Sequence, residues 1–229
     1  MTQKSKQSIA VSKTEFARGR VRDDIMRGRY APGHPIPERL VAQELEVSRV
    51  PVREALIQLE RDGLVSITPG RGAYVCSLTA ENMQSLYETR EALEGMASRL
   101  AAERMDPEAL APFTEKYNAL LSDSLSMDGA SVARLGNEFH DTIIRGSRNS
   151  VIIEMSAVIA DRVELCRRMC YGQASPPLAL RAAEEHLKIA EAIDQGDPEV
   201  AERRMREHIA WWAQFLRTNM VGDGPRHNR

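Results

Sequence analysis

Three histidines and a small set of arginines are the residues here whose types and spacing could do chemistry. His140, His186 and His208 each fall on the apolar face of a separate helical pattern. His140 lies one turn before Ile143 and Ile144, and His186 shares its stripe with Ala182, Ala183, Ala190 and Ile193. His208 stands between Met205 and Trp211, Trp212 and Phe215. One such histidine is commonly a hydrogen-bonded core residue. Three, on helices that must converge in one small bundle, suggest a ligand set, because imidazole is a common transition-metal ligand and bundle cores are where such sites are built. In the N-terminal part, Arg49 and Arg53 stand one helical turn apart, near the end of a helix that would meet base edges and phosphates. Cys76, Cys166 and Cys170 are too few and wrongly spaced for a disulfide framework or a zinc finger, and are read as packing residues.

The elements that must position these groups differ between the two parts of the chain. Val47 to Val65, VSRVPVREALIQLERDGLV, predicts a helix from Arg49 to Asp62, with Ser48 as cap, Pro51 in the first turn and Gly63 as the stop. Val52, Ala55, Leu56 and Leu59 form its buried stripe. Before it, Ser12 or Thr14 caps a helix running to about Arg29, with Phe16, Val21 and Ile25 inside. Tyr30 to Pro37, YAPGHPIP, reads as a rigid turn, and Glu38 to Leu45 as a short helix with Leu40, Val41 and Leu45 inward. Two short helices joined this tightly make a helix-turn-helix. Leu64 to Thr68 and Ala73 to Ser77 read as strands around the turn Pro69-Gly70-Arg71-Gly72, a wing whose glycines allow close backbone approach and whose tip carries Arg71.

From Thr79 the strand pattern disappears. Helices are expected at about 80–104, 107–125, 129–147, 150–171, 177–194 and 198–220. The fold class is therefore mainly α: a winged helix-turn-helix at 13–77 and an all-α bundle at 78–221, with a disordered arm at 1–12 and a flexible tail at 222–229. Charge divides along the same line. Residues 1–77 hold 13 Lys and Arg against 9 Asp and Glu, and the remainder 18 against 24, so the basic part comes first. No apolar run reaches the roughly 18 residues needed to span a bilayer, and the polar start lacks the apolar core of a signal peptide, so a cytoplasmic protein is expected.

YAPGHPIPERLVAQELEVSRVPVREALIQLERDGLVSITPGRGAYV, Tyr30 to Val75, resembles the winged helix-turn-helix of the GntR family of bacterial transcription regulators over nearly all of that domain. The resemblance implies that Arg39, Ser48, Arg49, Arg53, Gly70 and Arg71 contact double-stranded operator DNA. Pro51 joins this set at a helix start where some members carry polar residues. YETREALEGMASRLAAERM, EFHDTIIRGSRN, AEEHLKIAEAIDQGD and AERRMREHI resemble the ligand-sensing FCD domain of the FadR-type subfamily. Many FCD domains bind a divalent metal through three histidines and an Asp or Asn, and that metal helps hold a carboxylate effector. His140, His186 and His208 match the histidines. The fourth position is Gly136, which leaves three readings: Asn137 completes the set, water fills the place, or the site is metal-free. Zinc or nickel suits imidazole better than magnesium does. Arg90 matches a family arginine that faces the pocket and could pair with a carboxylate; its other reading is a surface ion pair with Glu94.

The function implied is that of a ligand-responsive, homodimeric DNA-binding regulator, a repressor released by a small organic or sugar acid from a short inverted repeat. Two alternatives stay open: a constitutive dimeric DNA-binding protein without effector, and a metal-dependent enzyme. The enzyme reading lacks an HExxH motif or similar, and Glu138 and Asp141, which flank His140, should project to other helix faces.

Overall fold

The computed structural model describes residues 12–77, 79–106, 108–123, 128–171 and 176–220. Most of the expected arm, the expected tail and the side chain of Cys170 lie outside the described residues. The chain divides into two compact units between residues 78 and 79.

In the first unit the helices are α1 (Lys13–Met26), α2 (Glu38–Glu44) and α3 (Arg49–Arg61). The α3 stripe drives its packing: Val52, Ala55, Leu56 and Leu59 are fully buried, each large side chain contributing about 1.5–3 kcal/mol. Facing it, α1 buries Ala17, Val21 and Ile25. Ser12 caps α1, its Oγ accepting from the Glu15 N–H at 3.1 Å. Ser48 occupies the same position before α3 with extended backbone but makes no side-chain cap bond. Phe16 and Leu40, expected inside, are about half exposed at 54% and 47%. Each neighbours the true stripe: Ala17 and Val41 with Ala42 take the inward direction, and a one-residue step on a helix turns a side chain by about 100°.

Tyr30 to Pro37 is more than a turn. It contains β1 (Pro35–Ile36), which joins β2 (Val65–Thr68) and β3 (Gly72–Val75) in an antiparallel sheet of order β1-β3-β2. Pro35 pairs with Tyr74 and Ile36 with Ala73, while Val65 pairs with Val75 and Thr68 with Gly72. Proline is tolerated because β1 is an edge strand. The β2–β3 turn needs two left-handed positions, Gly70 at φ 76° and Gly72 at φ 100°.

The second unit consists, among its described residues, of helices α4 (Ala80–Arg104), α5 (Ala111–Ser122), α6 (Gly129–Gly146), α7 (Ser150–Tyr171), α8 (Pro176–Asp194) and α9 (Pro198–Met220). Side-chain caps set the starts of α4, α6, α7 and α9, whereas α5 begins after Leu110 without one. Thr79 accepts from the Asn82 N–H, Asp128 from Ser131, Asn149 from Val151 and Asp197 from Val200. α4 is the central helix, packing along α9 and against α6, α7 and α8. An aromatic cluster closes the core, with Tyr117 edge-on to Phe139 at 5.6 Å between ring centroids.

Candidate functional site

Two places in the molecule gather chemistry, one in each unit. In the first, a groove runs between the start of α2, the start of α3 and the wing. Arg39, Arg49, Arg53, Gly70 and Arg71 all line it. The guanidinium groups of Arg49 and Arg53 face solvent, and Glu38 lies between them, one of its oxygens accepting from Arg49 at 3.4 Å and from Arg53 at 3.2 Å. Four arginines against one carboxylate leave the groove cationic, and guanidinium forks suit phosphate oxygens and the O6/N7 edge of guanine. Ser48 is exposed beside the groove rather than in its lining. Pro51 corrects the sequence reading: it is buried, because the α3 start turns it onto the core, so it shapes the helix and presents no contact surface. Glu38 carries no motif signal of its own and was not anticipated.

The second place is the histidine cluster. α6 supplies His140, α8 His186 and α9 His208, each only 4% exposed. Their candidate ligand atoms all lie within 4.8 Å of one another. Two carboxylates orient the rings from outside. Glu94 of α4 meets His140 at Nδ1, and Glu185 of α8 meets His208 at Nδ1, at 2.8 Å. Arg90 binds Glu94 through Nε and Nη2, and Arg181 donates to Glu185 at 2.8 Å while lying 3.7 Å from the Trp211 ring centroid.

The electrostatics fix the protonation. Burial pulls His140 down to about 3 against the opposing pull of Glu94. Burial, aided by Arg90, takes His208 to about 3. Burial and then the neighbouring His208 hold His186 well below the ordinary imidazole value. Burial alone would raise the Glu94 carboxyl, but Arg90 and His140 outweigh it and hold Glu94 well below the carboxylate range. All three rings are thus neutral at physiological pH. In His140 and His208 the Nδ1–H donates to a carboxylate, which leaves Nε2 as an acceptor, that of His208 being in hydrogen-bond contact with Nε2 of His186. This is the carboxylate-supported tautomer that metal-ligating histidines adopt.

The spacing fits a cation. Nε2 of His186 and Nε2 of His208 are 3.3 Å apart. Two nitrogens of a tetrahedral zinc site with bonds of about 2.0–2.1 Å stand roughly 3.3–3.4 Å apart. Nδ1 of His186 is buried with no hydrogen-bond partner. The residues therefore fit a divalent transition ion held by three imidazoles. His140, His186 and His208 also line a cavity with Gly136 and Arg167.

The remaining sequence candidates fall around this cluster. Asn137 does not line the cavity; its amide nitrogen donates to Glu164 at 2.7 Å and its Oδ1 is buried without a partner. Arg90 does pair with Glu94, as one reading held, but the pair is buried, at 2% and 6% exposure, and abuts His140. Glu138 and Asp141 are exposed, away from the cluster, and Cys166 is a buried core residue. Glu185 and Arg167 were missed: each lies in a helical stretch where a charged residue ordinarily marks the solvent face.

Comparison with known proteins agrees with both units. The model of the FCD domain matches residues 85–210, and that of the bacterial regulatory proteins, gntR family, matches residues 13–75. The chain is 29% identical over 205 residues to the HTH-type transcriptional repressor RspR of Escherichia coli (strain K12), covering 86% of each chain. It is 29% identical over 187 residues to the "Probable D-xylose utilization operon transcriptional repressor" of Paenarthrobacter nicotinovorans, covering 82% of this chain and 81% of that one. Among solved structures, E. coli McbR/YncC superposes with a TM-score of 0.75 at 22% identity, covering 92% of this chain and 100% of that chain, a likeness of fold.

Proposed function

Since the chain belongs to the gntR family of bacterial regulatory proteins and carries an FCD domain, the architecture of transcription regulators and not of enzymes, we propose that it is a cytoplasmic repressor that binds a short inverted repeat in double-stranded operator DNA as a homodimer and is released by a small carboxylate. The observation that carries the DNA reading is the cationic groove, which brings Arg39, Arg49, Arg53, Gly70 and Arg71 to one surface from three separate segments. An arginine fork on guanine contributes about 1–3 kcal/mol of discrimination, whereas phosphate contacts fix register. Val50, 65% exposed at the start of α3, suits the methyl group of thymine.

The effector acts in the second unit. The three neutral histidines would hold zinc or nickel, which when bound would supply a Lewis-acidic point for a carboxylate oxygen. Glu94 and Glu185 orient two of the rings. The effector shifts the regulator between DNA-binding and released states only by its differential affinity for the two, a coupling of about 1–3 kcal/mol. A second copy would be met through the bundle. Val151, Met155 and Val158 form an exposed apolar stripe on α7, which supports this assignment. Among the described residues no helix is long and apolar enough to cross a membrane.

Selection of bound duplexes from a random DNA library, followed by footprinting, tests the reading. An inverted repeat with half-sites about one helical turn apart is expected. Absence of any enriched symmetric site would overturn it.

A further inference from the structure

The cations around the histidine cluster differ in whether their charge is already answered. Arg90 is occupied by Glu94, and Arg181 by Glu185 and the face of Trp211. Arg167 of α7 is not. It is half-buried, lines the same cavity as His140, His186 and His208, and has no hydrogen-bond or ion-pair partner among the described residues. No carboxylate lines this cavity among the described residues either. Its other walls are small or apolar, including Val132, Ala133 and Ala179, with the Tyr117 ring. Gly136 belongs to the same lining, and a Cβ there would sit 3.5 Å from Cε1 of His186, an ordinary contact. A Cβ would therefore fit at Gly136, and its absence leaves room beside the imidazoles.

A half-buried guanidinium without a counter-charge, in a cavity lacking any acid, calls for an anion from outside. We propose that Arg167, rather than Arg90, anchors the ligand of this cavity, and that the ligand is a small acid with two oxygen-bearing groups. One carboxylate takes the Arg167 fork, and the second group reaches the histidine end through the space left by Gly136. This rests on the reading of the cluster as a ligand-holding metal site. Three neutral imidazoles leave the full charge of a divalent ion uncompensated, so an acid with two anionic groups is preferred over a monocarboxylate.

The test loads the full chain with cobalt(II) and follows the visible absorption of the ion as malonate or acetate is added. Wild type is expected to bind cobalt, and malonate to change the spectrum at lower concentration than acetate. Arg167→Gln should bind cobalt as wild type does and need about tenfold to a hundredfold more malonate. Arg167→Lys, which keeps the charge and guards against misfolding of the neutral variant, should recover part of that loss. Gly136→Asp should keep cobalt and lose the malonate response. Cobalt binding with unchanged malonate affinity in both Arg167 variants would overturn the assignment of Arg167 while leaving the metal site standing. Failure of wild type to bind cobalt would overturn the site and this proposal together, whereas cobalt binding with no response to malonate would overturn this proposal alone.

Discussion

Replacing Glu94 by Gln tests how the histidine site is held. The substitution keeps the shape and one acceptor but removes the charge that answers Arg90, which is 2% exposed. Breaking a buried ion pair by neutralising one partner costs about 3–5 kcal/mol, because the other charge is left buried. For a domain of this size that is a fall in melting temperature of roughly 6–20 °C. Asp141 provides the control. It pairs with Arg145 at 2.7 Å, but the side chains are 58% and 68% exposed, so Asp141→Asn should cost less than about 1 kcal/mol. Differential scanning calorimetry of the full chain, chelated to remove metal, reads both. The double variant Arg90→Met, Glu94→Leu should regain at least half of the loss, since removing both charges removes the desolvation cost. Equal small effects for Glu94→Gln and Asp141→Asn, or a double variant less stable than the single, would refute the argument that a buried pair braces His140.

Three further outcomes are expected. Protein purified without chelator or a histidine tag should carry about one zinc or nickel ion per chain by elemental mass spectrometry, and a His140→Ala, His186→Ala variant none; a wild type that takes up no ion after incubation with zinc or nickel would count against the site. In fluorescence anisotropy with selected operator DNA, Arg49→Ala and Arg53→Ala should each weaken binding by about 1–3 kcal/mol if the arginine reads guanine, while Arg71→Ala should reduce the salt slope by about one; loss of neither affinity nor slope would remove the groove from the interface. Ser12→Ala should lower stability in urea by about 1 kcal/mol through loss of its cap bond, whereas Ser48→Ala, with no such bond to lose, should change it by less than about half of that.

The parts of the fold legible in the sequence were those that repeat. Four apolar residues at helical spacing placed α3 to within a residue, and the breaks at Asp128, Asn149 and Asp197 marked helix starts because the caps are local chemistry. Where an apolar residue stood next to the stripe, as Phe16 and Leu40 do, periodicity over a short helix could not say which of two directions was inward. β1 is two residues long and half proline, too short to carry any alternation. The histidines were legible as a trio, but their supports were not. Glu94, Glu185 and Arg167 are ordinary charged helix residues until the packing of α4, α6, α7, α8 and α9 shows what each one faces.

The cluster also spans long stretches of chain. Glu94 and His140 are 46 residues apart, and His186 and His208 are 22 apart. His140 meets Glu94, His186 and His208 only once α6 lies against the other helices, so the full set of three imidazoles exists only in the packed bundle. An ion that requires nitrogens from α6, α8 and α9 at once has little affinity for a chain that is still opening and closing its bundle. Chelation would then act as a test of completeness: a newly made or heat-damaged chain would be told from a finished one by whether it could keep an ion.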